Sequence, residues 1–283
     1  MSPPGRPKGE YRSAQHEGTP VSAGTASRDD FILETHALTK EFKGFVAVDK
    51  VNLRVRRGTI HALIGPNGAG KTTCFNLLTK FLKPTSGQIL FESEDITAEA
   101  PPHIARRGVI RSFQISSVFP HLSVLENVRV ALQSKLKNSF HFWRSERTLE
   151  SLNERAMTLL GEVDLEQYAA LTAVELSYGR KRALEIATTL AMAPKLMLLD
   201  EPTQGMGLED VDRIRQLIKK VAADRTVLMV EHNMSVVSSI ADTITVLQRG
   251  ATLAEGPYEQ VSANPAVIEA YMGSARTELR GAH

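Results

Sequence analysis

Disulfide chemistry is excluded first, because the 283-residue chain holds one cysteine, Cys74. No internal bridge can form, and nothing points to an oxidising compartment. Long apolar runs are also missing. No stretch reaches the roughly 18 residues that a membrane-spanning helix requires, so the chain is not expected to cross a bilayer by itself. Neither sign of charge dominates, with 34 Lys and Arg against 32 Asp and Glu. That balance gives no reason to expect nucleic acid as a partner, since phosphate-backbone binders concentrate basic residues. Residues 1–30 are rich in Pro, Gly, Ser and charge and lack the apolar centre of a secretory signal. They read as a flexible tail, and a cytosolic location is the default expectation.

What is present is decisive. The apolar run Ile60 to Ile64 leads into Gly65, Pro66, Asn67, Gly68, Ala69, Gly70, Lys71 and Thr72. This matches the phosphate-loop pattern GxxxxGK[ST] at every fixed position. Glycines let successive backbone amides turn inward around phosphates, Lys71 supplies positive charge, and Thr72 offers a hydroxyl to a magnesium ion. The following segment, Thr72 to Phe81, reads as a helix whose positive end completes the anion site. Cys74 lies in that helix and is expected to serve packing. The chain is therefore expected to bind a nucleotide with Mg2+.

Ordered structure is expected from Phe31 onward. Val51, Leu53 and Val55 alternate with Asn52, Arg54 and Arg56, the two-residue period of a strand with one wet face. A further strand, Gln88 to Phe91, follows the Pro84 to Gly87 turn, so an antiparallel edge accompanies the core strand. From about 115 to 193 the pattern is mostly helical, including Leu122 to Leu132, Leu149 to Val163 and Leu176 to Leu190. Lys195 to Leu199 and Thr226 to Val230 read as buried parallel strands, with the amphipathic Val211 to Ala222 between them. Near the end, Asn264 is placed to cap a helix that holds Pro265 in its first turn and stops at Gly273. No internal repeat occurs. The fold class is α/β: a P-loop NTPase core at 31–260 with an antiparallel β edge and an inserted helical subdomain. A C-terminal helix and tail fill 261–283.

A second acidic site follows from Leu196-Met197-Leu198-Leu199-Asp200-Glu201, an apolar strand ending in two carboxylates. Asp200 is the expected magnesium partner, and Glu201 is placed to polarise the water that attacks the terminal phosphate. His103, His121 and His141 have no metal-ligand spacing.

The segment Leu176-Ser177-Tyr178-Gly179, about 23 residues before Asp200, makes the chain resemble the ABC transporter ATPases. A Ser hydroxyl and a Gly amide at a helix start form an anion site. In that family the helix covers the terminal phosphate of ATP held by another subunit. The resemblance implies a head-to-tail dimer, homomeric or heteromeric, in which Ser177 and Gly179 bind nucleotide. It also implies that Gln114, in Arg111-Ser112-Phe113-Gln114, contacts metal and water. His232, in Val230-Glu231-His232-Asn233, corresponds to the switch histidine. Phe42 corresponds to the aromatic that stacks on adenine, and Thr73 joins the nucleotide contacts. The catalytic set is then Glu201, His232 and Gln114, and the metal set Thr72, Gln114 and Asp200.

The chain departs from the family at two positions. Arg180 stands where Gln or Glu is common, giving a basic helix start whose expected fate is solvation. Gly207 stands where Asp or Asn usually communicates across the dimer. Ser134 to Thr148 interleaves Phe140, Phe142 and Trp143 with basic residues and reads as a solvated loop, docking to a membrane partner being the functional alternative.

The resemblance spans roughly Phe31 to Gly273. Val118 to Val128, Leu184 to Ala187 and Gly256 to Met272 look like the ATPases of branched-chain amino acid importers. The implied partners are integral membrane permease subunits, a second ATPase subunit and a solute-binding protein. The implied place is the cytoplasmic face of the membrane. An exporter or lipid-moving complex using the same engine stays open. Soluble superfamily members acting on ribosomes or DNA usually carry two cassettes or long coiled-coil insertions, and neither is present here.

Overall fold

The computed structural model describes residues 30–112, 118–134 and 146–271, with backbone alone over 146–150. Two sheets organise it. The first is antiparallel, built on β1 (Phe31–Phe42). On one side β1 pairs with β2 (Phe45–Val51) and β3 (Arg54–Arg56), and on the other with β5 (Ser86–Phe91), which carries β6 (Glu94–Asp95). The second holds β4 (Ile60–Ile64), β7 (Val109–Ser112), β8 (Leu196–Asp200), β9 (Thr226–Val230), β10 (Thr243–Gln248) and β11 (Ala251–Gly256). Its order is β11-β10-β4-β9-β8-β7, parallel throughout except for the β10–β11 hairpin.

The apolar runs of the central strands follow from this position between two cores. In β4, Ile60, Ala62 and Ile64 enter one core, while Leu63 enters the other. In β8, Met197 and Leu199 face the first and Leu196 and Leu198 the second, and β9 divides its residues the same way. A strand buried on both faces cannot alternate with polar residues, so it reads as a continuous apolar segment. The second core also takes Cys74 and Phe75 from α1 (Lys71–Leu78), together with the inward faces of β1, β2 and β3. Burial pushes the Cys74 thiol up to about 12, which fits packing rather than reactivity.

Helices α2 (Pro101–Arg107), α3 (Val124–Ser134), α4 (Glu146–Glu162) and α5 (Tyr178–Ala191) complete the first two thirds of the chain. Of these, α3, α4 and α5 lie in sequence between the neighbouring strands β7 and β8. Ser123 and Glu126 cap α3 reciprocally: the Ser123 Oγ accepts from the Glu126 amide at 3.1 Å, and Glu126 Oε2 accepts from the Ser123 amide at 2.8 Å. Buried Asn127 then binds both backbone groups of Phe119. The stretch from Val118 to Val128 is therefore occupied in shaping its own turn. The remaining helices are α6 (Leu208–Ala222), α7 (Met234–Ile240) and α8 (Tyr258–Ser262), followed by a helix over 265–271.

Several boundaries move from their expected places for identifiable reasons. The helix after the phosphate loop stops at Leu78 rather than Phe81. The Thr79 hydroxyl donates back to the Phe75 carbonyl at 2.7 Å, and Lys80 turns left-handed at φ 63°. The alternating run 51–56 splits into β2 and β3, because the Asn52 carboxamide accepts from the Ala37 amide and Thr35 Oγ1 accepts from that of Leu53. Helix α6 begins three residues early, with Glu209 and Asp210 in its first turn, where acidic side chains favour the helix dipole. Asn264 does cap the helix after it, accepting from the Ala266 amide at 3.0 Å. The tail 1–29, Gln114, Gly273 and nearly all of the aromatic-basic stretch (135–145) lie outside the described residues.

Candidate functional site

Between β4 and α1 the backbone takes conformations that side chains resist: φ is 149° at Gly65, 76° at Gly68 and 98° at Gly70. Space forbids side chains as well. A Cβ on Gly65 would stand 2.2 Å from the Leu247 carbonyl oxygen, and one on Gly70 2.4 Å from that of Ala47. These contacts are close because the turn joining β10 to β11 clasps the loop. The Gly250 amide donates to the Ala69 carbonyl at 3.0 Å, and the Asp49 amide of β2 donates to the Gly250 carbonyl at 2.8 Å. At the tip, Asn67 and Gly68 are exposed.

Lys71 is buried at the start of α1, its ammonium donating to the carbonyls of Gly65 at 2.7 Å and Pro66 at 3.1 Å. Burial lowers its pKa, and the carboxylates of Glu201 and Asp200 act in the opposite direction. Thr72 is exposed and Thr73 half-buried on the following turn.

Neighbouring strand ends supply the acidic groups and the imidazole. Asp200 closes β8, and its carboxylate accepts a hydrogen bond from Arg111 of β7. The same guanidinium donates to Asn76 Oδ1 at 2.6 Å and lies 5.8 Å from the Phe75 ring centroid. From α5, Arg182 donates to the carbonyls of Asp200 at 2.7 Å and Pro202 at 3.2 Å, while pairing with Glu185 at 2.5 Å. Burial raises the Glu185 pKa, opposed by Arg182. Glu201 is held at φ 44°, a strained value for a side-chain-bearing residue. Its amide donates to the Val230 carbonyl of β9 at 2.9 Å. Just past β9, His232 Nδ1 stands 4.0 Å from Glu201 Oε2. Glu231, fully buried, fastens the two turns: one carboxylate oxygen accepts from the Thr203 amide at 3.1 Å, the other from the amides of His232 at 2.9 Å and Asn233 at 3.1 Å.

The expected loop, carboxylates and histidine thus gather at the carboxyl edge of β4, β9 and β8, where open α/β sheets bind ligands. The helix start at Ser177 behaves differently. Ser177 is the N-cap residue of α5, yet its side chain makes no capping hydrogen bond. Side-chain hydrogen bonds from α5 run to the turn after β8, where Tyr178 Oη donates to the Gln204 carbonyl at 3.1 Å. Gly179 lies beneath the Asp210 carboxylate, which would have to shift to admit a Cβ. Phe42 ends β1 at 40% exposure, across a Lys43-Gly44 turn from Phe45 at 68%, with the Lys40 ammonium 5.0 Å from the Phe42 ring.

Residues 48–204 match the family model described as ABC transporter. The branched-chain amino acid transport ATP-binding protein BraF of Pseudomonas aeruginosa is 42% identical over 254 residues, covering 86% of this chain and 98% of that protein. The chain belongs to the ABC transporter family. A second model, branched-chain amino acid ATP-binding cassette transporter, matches residues 251–277 of this cassette. LivG of Escherichia coli K12, a high-affinity branched-chain amino acid transport ATP-binding protein, is 39% identical with the same coverage. Among solved structures, the ADP conformation of an ABC transporter cassette superposes with a TM-score of 0.77 at 32% identity. It covers 86% of this chain and 99% of that one. A dimeric bacterial ABC transporter cassette aligns at TM-score 0.67 and 27% identity, over 80% of this chain and 98% of that one. The cassette is accordingly an ATP-hydrolysing transporter subunit.

Reading motifs alone passed over residues that fix the cassette's geometry. Arg111 sits three places before Gln114, Glu231 directly before His232, and Arg182 three places after Gly179. Each was visible beside a motif, but its partner comes from another element. The basic start of α5 also has a different fate from solvation: the Arg180 guanidinium lies 4.4 Å from the Tyr168 ring centroid, a cation–π contact. Gly207 has open space around it and an ordinary negative φ, so nothing in the structure demands glycine there.

Proposed function

We propose that this ATPase powers import of branched-chain amino acids as a peripheral subunit at the cytoplasmic face of the membrane. The match of residues 251–277 to the branched-chain amino acid model, with the names of BraF and LivG, supports the cargo. No helix of the described residues is long and apolar enough to cross a membrane, in keeping with docking onto membrane partners. The chemistry rests on one observation: phosphate loop, Asp200–Glu201 and His232 stand on neighbouring strand ends.

ATP phosphates would lie against the amides of Gly65, Asn67, Gly68, Ala69 and Gly70, with Pro66, which has no N–H to donate, shaping the turn. The Lys71 ammonium would exchange its two carbonyl partners for phosphate oxygens, and Thr73 would add a hydroxyl. Exposed Phe42 offers a face to adenine. Thr72, Asp200 and Gln114 would hold Mg2+, which neutralises phosphate charge when bound. Among the described residues no group of three or more His, Cys, Asp or Glu could hold a metal. That suits an ion whose other ligands are phosphate oxygens and water.

Glu201 would take a proton from the attacking water as its oxygen bonds to the terminal phosphorus and the bond to the bridging oxygen breaks, leaving ADP and phosphate. His232, with its main chain tied by Glu231, would hold that water and the terminal phosphate. Ser177 and Gly179 of a second subunit would close over the nucleotide, a reading supported by the dimeric cassette this chain resembles and by an exposed Ser177 whose side chain makes no capping hydrogen bond. Permease subunits would dock in an apolar groove of about 360 Å3 between α2, β7 and α5, lined by Phe81, Ile104, Ile110, Arg111, Thr188 and Met192. A solute-binding protein would deliver cargo from outside.

Reconstitution with its permeases and binding protein in liposomes tests the whole reading. ATP-dependent uptake of leucine, isoleucine or valine is expected. Uptake of an unrelated solute while all three are ignored would overturn the cargo assignment.

A further inference from the structure

One positive side chain already occupies the place where the magnesium reading puts a cation. The Arg111 guanidinium bonds Asp200, and only 13% of either side chain is exposed. Two further contacts fix its plane, the Asn76 carboxamide at 2.6 Å and the Phe75 ring at 5.8 Å, both on α1 directly behind the phosphate loop. A carboxylate in such a poorly hydrated place needs a counter-charge whenever no metal is there. Arg111 supplies it from the adjacent strand, through the parallel pairing of β7 with β8 that sets Arg111 beside Leu198.

We propose that Arg111 is a resident counter-cation of Asp200 that a divalent ion must displace before the site is ready for hydrolysis. This rests on the assignment of Asp200 to the magnesium site. The Lys71 ammonium also feels the Asp200 charge, but Arg111 is the cation bonded to it, and a divalent ion arriving at the same carboxylate is repelled by that guanidinium. Metal entry therefore costs the Arg111–Asp200 contact, and Arg111 acts as a positioning residue that keeps Asp200 oriented until then. Arg111 also forms part of the groove wall beside Ile110, Thr188 and Met192. A guanidinium released from Asp200 thus has the docking surface as its neighbour.

The test is Mn2+ binding to the full chain in the presence of ADP, followed by electron paramagnetic resonance. Arg111→Met keeps the length and the packing on Phe75 but removes the charge, and should tighten Mn2+ binding by about tenfold. Arg111→Lys restores a cation and should bind Mn2+ more like the wild type than like Arg111→Met. In the wild-type chain, the Arg111 Nε–H resonance should shift on adding Mg2+ with ADP and stay in place with ADP alone. Mn2+ affinity unchanged or weakened in Arg111→Met would overturn the proposal and leave the magnesium reading standing. An Arg111 resonance that ignores Mg2+ would overturn it equally, and that measurement needs no variant. A wild-type chain that binds no Mn2+ with ADP would overturn the magnesium reading itself.

Discussion

The phosphate loop and the start of α5 are both glycine-bearing helix starts, yet they are built in opposite ways. Main chain from β2 and from the β10–β11 turn closes around the loop, and its own lysine fills the cradle. At α5 the serine hydroxyl makes no cap, Tyr178 is 43% exposed, and nearby Leu208 presents 87% of its surface to solvent at the first residue of α6. One site is finished by its own chain. The other leaves Ser177, Tyr178 and Leu208 exposed beside a buried Gly179, as a surface completed by a second subunit would require.

The comparison is broken most directly at Glu201. Replacing it with Gln should leave ATP bound in the finished site while steady-state phosphate release falls by about two to four orders of magnitude. Turnover at the wild-type rate would remove Glu201 from the mechanism. Arg182→Met severs the tie between α5 and the carbonyls of Asp200 and Pro202 and strands buried Glu185. A loss of about 3–5 kcal/mol is expected in urea unfolding. A change below about 1 kcal/mol would mean that the two halves are held by something else.

A third effect lies beneath the loop, on β4. Burial brings the pKa of His61 from 6.5 down to about 4, and its Nε2 lies 2.8 Å from the Thr245 hydroxyl, which donates onward to Glu255. Thr245 already gives its proton to Glu255, so the imidazole carries its own on Nε2. Because the folded protein binds fewer protons than the unfolded chain in this window, stability is full above about pH 6.5 and is lost as pH falls toward 4. The contribution is about 3 kcal/mol. Urea midpoints across that range should fall more steeply for the wild type than for His61→Gln, and equal slopes would refute the assignment. Smallest is Leu208→Asp. It should leave ADP affinity of the isolated chain unchanged but weaken ATP-driven pairing of the Glu201→Gln protein by about tenfold, read by light scattering. Undiminished pairing would place the interface elsewhere.

What could be read from residue order was what is local. Ile60 to Thr72 contains the strand, the turn and the helix start that together form the cradle, so its chemistry was legible from a dozen neighbouring residues. Asp200 and Glu201 were legible because a doubly buried strand can end in polar residues only at its rim. Arg111, Arg182 and Glu231 were not. Their partners are 89, 18 and 28 residues away and meet them through strand order or helix packing. The positive φ of Glu201 has the same origin, since it follows from the tie of its amide to β9 rather than from any glycine in the turn. Helix ends slipped where a single hydroxyl, as at Thr79, satisfied a carbonyl one turn early.

The clasp at Gly250 bears on kinetics. With the cradle's shape held by β2 and the β10–β11 turn, arrival of nucleotide should demand little more than a change of partners by one ammonium. Association with a single subunit should then run close to the rate set by diffusion and orientation.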